Sequence, residues 1–188
     1  MQFNRNAALA GAGCLILLLS GTPAMRAQNS DASADDKSFV TGALRGGMAE
    51  VELGQIAAQK GNSEDVKQFG QKMVDDHTRL GDQMKTVAGQ IGVDPPSMLS
   101  PMDKALELKL KALSGDDFDK AYIRAMVKDH RKDLMDFKKE VADGQSSTVK
   151  EAATKGEKVI AEHYKMIRQI ARTHGLGTDS KSGSAPAL

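Results

Sequence analysis

The chain has 188 residues, 40% hydrophobic and 27% charged, with no Trp and a single Cys, which suits one domain with a core of ordinary size. Lys and Arg number 26 against 25 Asp and Glu, a formal balance of +1, so neither a basic nucleic-acid coat nor an acidic tail is present, and no nucleic-acid partner is expected. One Cys cannot build a disulfide framework or a thiolate zinc cluster.

Residues 1–27 read as an export signal: Arg5 in a basic start, an apolar run from Ala7 to Leu19, then the breakers Gly21 and Pro23. Cleavage after Ala27 is preferred to cleavage after Ala24, although it puts Met25 at the minus-three position. Cys14 does not suit lipidation, because a lipidated Cys follows the apolar run and Leu15 to Leu19 come after this one. The run is also shorter than the ~20 residues that span a bilayer. Losing Arg5 and Arg26 with the leader leaves 24 bases, 25 acids and no Cys, which removes cysteine nucleophiles and thiolate metal sites from consideration. The expected product is periplasmic or secreted, with outer-membrane association open and no transmembrane segment in the mature chain. Residues 28–35 read as a linker, 36–174 as a helical bundle, and the Gly/Ser-rich 175–188 as a disordered tail.

No proline occurs between Pro23 and Pro95 or between Pro101 and Pro186, and in both stretches apolar residues recur at three-and-four spacing. The first helix is predicted from about Asp36 to Gln59 and the second from Glu64 to Ile91, with Ser63 as N-cap. Only a tight turn separates them, so they are antiparallel neighbours. After a linker with Pro95-Pro96, Ser100-Pro101-Met102-Asp103 opens a short helix to about Leu113. A fourth helix is predicted from Asp116 to Ala142, and a fifth from after Ser146 to about His174. Four long helices with a short one in the central crossover outline an all-α four-helix bundle.

The segment Met73-Val74-Asp75-Asp76-His77 recurs as Met126-Val127-Lys128-Asp129-His130, with Phe69 and Tyr122 each four residues before the Met. His77 and His130 each lie roughly 20 Å from the start of their helices. If the crossover returns the chain along the bundle, helices two and four run parallel and the two histidines reach one height. Counting back from the turn near Asn62 brings Gly47 and Glu50 to that height, while Glu52 points the opposite way. Counting forward from the turn near Gln145 brings Ile160 and His163 there. One carboxylate and three imidazoles from four helices are therefore expected in one layer.

Two readings of that layer stay open. Glu50, His77, His130 and His163 could hold a transition metal (iron, manganese, zinc or copper), with Asp76 and Asp129 as ligands or as acceptors that orient the imidazoles. Alternatively the layer is a polar lock that fixes register in a structural or interaction module of the cell envelope with no metal. A pH-responsive His cluster is a further possibility. Met48, Met73, Met126 and Met166 fall near the same height, and thioethers suit copper(I), although Met also fills core gaps. Tyr122 and Phe69 are expected in the core, His174 in solvent, and the run Lys128 to Lys139 on a solvated face. No nucleophile elbow, phosphate loop or His-Glu-x-x-His pair is present, so a non-enzymatic role is favoured. A dinuclear redox enzyme needs about six ligands, a number reached only if Asp76 and Asp129 turn inward.

With Ala49-Glu50-Val51-Glu52-Leu53-Gly54, Met73-Val74-Asp75-Asp76-His77, the stretch from Ser114 to Tyr122 and Asp129-His130, the chain from Phe39 to about Thr173 resembles the bacterial domain of unknown function 4142 family. The resemblance implies an exported, ferritin-like bundle, often labelled an outer-membrane protein, with no established activity. Ferritin-like iron proteins carry Glu-x-x-His on two helices, and this sequence has no such motif, which argues against di-iron ferroxidase chemistry.

Overall fold

The structure, a computed structural model, describes residues 32–177; the leader and most of the expected tail lie outside the described residues. Five helices follow in order: α1 (Ala34–Lys60), α2 (Glu64–Ile91), α3 (Pro101–Ala112), α4 (Gly115–Asp143) and α5 (Ser147–Thr173). No strand occurs among the described residues, and no helix there is long and apolar enough to cross a membrane.

The helix starts follow from side chains that satisfy free backbone N–H groups. α1 begins at Ala34, two residues earlier than the apolar spacing predicts. The cause is a reciprocal capping box in which Ser33 Oγ accepts from Asp36 N at 3.1 Å while Ser33 N donates to Asp36 Oδ2 at 2.7 Å. α3 starts as predicted, with Pro101 in its first turn and Ser100 Oγ accepting from Asp103 N at 3.1 Å. Ser63 does occupy the α2 N-cap, but its hydroxyl caps nothing there and donates instead to Asp119 Oδ2 at 2.6 Å. α2 ends on Gly92 at φ +69°, a left-handed turn suited to glycine.

α1 packs along α2 and α4 along α5, and the two hairpins meet through α2 with α5 and α1 with α4. α2 and α4 thus stand across a diagonal, as parallel helices do in this topology. Gly54 and Gly70 set the tightest crossing of the first hairpin: a Cβ on Gly54 would lie 2.7 Å from Gly70 O. Buried aspartates stitch one hairpin's turn to the other's helix. Asp119 accepts from Asn62 N at 2.9 Å and Ser63 N at 2.8 Å, and Asp36 accepts from Gln145 N at 2.9 Å. Each bond satisfies a backbone N–H of a turn that packing would otherwise strip of water.

The apolar core has two parts. One contains Leu53, Phe69, Met73, Tyr122, Met126 and Ile167, and the other contains Val40, Leu44, Met84, Phe137, Val149 and Ile160. Full burial of a side chain of this size stabilises by ~1.5–3 kcal/mol. On every long helix a polar residue lies between the two sets: Glu50 on α1, His77 on α2, His130 on α4 and His163 on α5. At the C-terminal end Leu176, predicted in a disordered tail, packs against the first core part, with its N–H on Ala171 O at 2.8 Å.

Candidate metal centre

The four residues expected at one height do meet. Glu50, His77, His130 and His163 are 1%, 4%, 0% and 0% exposed. The three imidazole centroids are 5.2 to 6.0 Å apart pairwise. Gly47, counted to the level of His77, lies there: a Cβ on it would sit 3.8 Å from His77 Nδ1. Glu52 is exposed, as its position on the opposite face requires.

Two of the imidazoles have a ring nitrogen hydrogen-bonded to a protein acceptor, and the third, His77, has one close to Glu50. His130 Nδ1 donates to the Met126 carbonyl at 3.0 Å, and His163 Nε2 donates to Asp76 Oδ2 at 2.7 Å. His77 Nδ1 sits 2.9 Å from Glu50 Oε2, and His130 Nδ1 lies 3.3 Å from Glu50 Oε1. With protons on those nitrogens, the remaining lone pairs fall on His77 Nε2, His130 Nε2 and His163 Nδ1. All three of these atoms are buried without a hydrogen-bond partner. The three residues offer one nitrogen each within 4.8 Å of one another. Burial pushes each of the three imidazoles down to about 4, so near neutral pH they are uncharged, the form that ligates metals.

The remaining predicted residues divide. Asp76 stands behind His163 and is further paired with Lys72 Nζ at 2.8 Å and with Arg79. Burial opposes its charge, but the contacts with Lys72 and His163 hold its carboxyl below the ordinary value. It is an orienting acceptor by position. Asp129 groups instead with Glu50 and with Asp133, their carboxylate oxygens lying within 4.8 Å of one another. Burial raises Glu50 to about 7 and Asp133 to about 8, and also raises Asp129.

Asp133 was not among the predicted site residues; in the run from Lys128 to Lys139 the Lys and Arg side chains and Asp136 are exposed as expected, but Asp133 departs from that face. Asp119, Met126, Asp133 and Glu140 recur every seven residues, and Asp119, Met126 and Glu140 are buried, so the heptad position carries Asp133 inward despite the charges around it. His174 is also corrected. Its Nε2 lies 3.1 Å from both Asp65 carboxylate oxygens, and its side chain is only 20% exposed. The methionines do not act as a set: Met73 and Met126 are buried, Met166 is exposed, and Met48 lines a groove. That groove, of about 220 Å³ between α1, α2 and Pro95-Pro96, has His77 on its wall.

Four long helices with an acid and three imidazoles on a shared inner layer make this an all-α, ferritin-like four-helix bundle whose His/Glu cluster could hold a metal ion. Residues 21–170 match the family described as "Domain of unknown function (DUF4142)", and the chain belongs to that family. No curated protein sequence matches significantly. Solved structures of similar fold include a DUF305 fragment from Deinococcus radiodurans, with TM-score 0.67 at 15% identity, covering 76% of this chain and 98% of that one. A DUF305 protein from Streptomyces coelicolor, whose name suggests secretion, has TM-score 0.64 at 16% identity, covering 77% and 97%. CopM in its Cu(I)-bound form has TM-score 0.60 at 20% identity, covering 73% and 96%. At these identities the likeness is one of fold.

Proposed function

We propose that this chain is an exported metal-binding bundle that holds one transition-metal ion on His77, His130 and His163. The observation that carries the reading is the set of three buried imidazole nitrogens without a hydrogen-bond partner, on rings that offer one nitrogen each within 4.8 Å of one another. A buried nitrogen without a partner costs about 1–3 kcal/mol, and three such costs in one layer are offset together by one bound ion. Asp76 and Glu50 would orient the rings and raise their basicity, as carboxylates behind metal-bound imidazoles do. The groove beside His77 would be the entry route.

Three neutral nitrogens suit copper or zinc better than iron or manganese, which favour more oxygen donors. A soft monovalent ion is also matched in charge by one ionised Glu50. Since the similarly folded CopM was solved with Cu(I), copper(I) is the first ion to test, with zinc second. Export rests on the leader read in residues 1–27, and fractionation of the producing cell tests it.

The metal test is direct. Full chain freed of metal is titrated with Cu(I) and with Zn(II) against a coloured chelator. One tightly held equivalent is expected, with affinity lost when His77 and His163 are both replaced by Leu. Absence of stoichiometric binding by either ion, with no shift in thermal midpoint, favours the metal-free alternative, in which the layer acts only as a polar lock between the two halves of the core.

A further inference from the structure

We infer that Glu50, Asp129 and Asp133 form a second cation site, of oxygen-donor type, that takes a hard divalent ion such as Mn(II) beside the imidazole layer. This goes beyond the imidazole site, because it needs a different ion and different ligands and shares only Glu50. Three carboxylate oxygens, one from each residue, lie within 4.8 Å of one another, close enough to be donors to one ion.

The independent observation is Glu50 itself. It is 1% exposed, and neither of its carboxylate oxygens has an aligned hydrogen bond. The imidazoles beside it lie 2.9 and 3.3 Å away, but they are neutral rings and supply no countercharge. Lys132 reaches Asp133 only at 3.9 Å and is otherwise engaged with Asp136 at 2.6 Å. A cavity of about 20 Å³ borders Glu50, Asp133 and His77, enough for one water or ion.

Gly47 lines the α1 side of this space, and Gly46 lies beside Asp133. A Cβ on Gly46 would lie 3.7 Å from Asp133 Oδ2, and one on Gly47 3.8 Å from His77 Nδ1. Carboxylates with water completing the shell are the donor set of hard ions, whereas three imidazoles suit softer ones. The two sites therefore differ in selectivity and meet at Glu50.

The experiment titrates Mn(II) alone into metal-free full chain and follows loss of the free Mn(II) paramagnetic resonance signal. One bound Mn(II) per chain is expected. Asp133→Asn should weaken it by about tenfold or more, and the double variant Asp129→Asn/Asp133→Asn should abolish it while leaving Zn(II) binding at the imidazoles unchanged. The single variant Asp133→Asn, which keeps the size and shape of the side chain, keeps the test valid should the double variant misfold. Failure of wild type to bind Mn(II), or Mn(II) binding unchanged in these variants, overturns the inference. Zn(II) binding in the same preparation then shows whether the imidazole reading survives. Mn(II) bound without Zn(II) upholds this site and removes the other.

Discussion

His163 Nε2 donates to Asp76 Oδ2 at 2.7 Å across the contact of α2 with α5. That bond fixes the tautomer and leaves the lone pair on His163 Nδ1, aimed away from Asp76 and without a partner. Asp76→Ala removes the acceptor, so His163 becomes free to turn and to hold its proton on either nitrogen. Metal affinity, measured by competition with a coloured chelator, is expected to fall by about 10–100-fold. Asp76→Asn keeps an acceptor oxygen and should fall less. Equal affinity in wild type and Asp76→Ala would mean that the bond does not position a ligand.

The paired substitution His77→Leu/His130→Leu separates the two readings of the layer. Both rings carry an unpartnered buried nitrogen, so apolar side chains of similar size relieve a desolvation cost while giving up contacts with Glu50. Metal-free stability is expected to change by no more than about 1–2 kcal/mol. The stabilisation by Zn(II), about 2.7 kcal/mol at a hundredfold excess over the dissociation constant, should disappear. Urea unfolding with and without Zn(II) measures both. A large loss of metal-free stability together with indifference to Zn(II) would identify the histidines as a structural lock.

The polar layer was legible because helical rise and short turns convert sequence distance into height. Glu64 and Gly115 open helices whose histidines lie at similar offsets, and the tight turns at Asn62 and Gln145 carry that height to Glu50 and His163. What was not legible depended on contacts between segments far apart. Ser63 has the sequence of a capping residue, but Asp119 on α4 takes its hydroxyl. Asp133 sits among Lys132, Asp136 and Lys138, a pattern that ordinarily marks a wet surface, and only its heptad relation to Met126 and Glu140 shows that it turns inward. His174, four residues beyond Ile170 at a fraying end, has no local reason to be held. Asp65, 109 residues away, provides the partner.

The glycine crossing of the first hairpin predicts a stability defect remote from the centre. A methyl on Gly54 would meet Gly70 O at 2.7 Å and Met73 Cβ at 3.0 Å, and neither a helix backbone nor a fully buried Met can move aside without shifting α1 from α2. Gly54→Ala should therefore cost about 2–3 kcal/mol, despite the better helix propensity of Ala. Chemical unfolding measures it. Gly81→Ala, with nothing within 4 Å of the added Cβ, is the control and should be neutral or slightly stabilising.

A second carboxyl pair, at the end of the bundle where α1 begins, gives the fold a pH dependence of its own. Burial, then the hydrogen bond with Asp36, raises Glu140 to about 7 from 4.5. Asp36 is buried as well, but hydrogen bonds from Glu140, Ser33 and the Gln145 backbone outweigh that and lower it to about 2 from 3.8. Glu140 thus keeps the proton and donates a hydrogen bond through it to Asp36, which is ionised. Because folded Glu140 binds its proton more tightly than the unfolded chain does, its contribution is complete below about pH 4.5 and is lost as pH rises through about 7. Asp36 works in the opposite sense, contributing above about pH 3.8 and losing this as pH falls toward about 2. Glu140→Gln keeps a donor without a titrating proton. It should match wild type near pH 4.5 and be more stable by about 1–2 kcal/mol at pH 8. Unfolding curves across that range read the difference directly, and parallel curves for the two proteins would show that Glu140 and Asp36 share no proton.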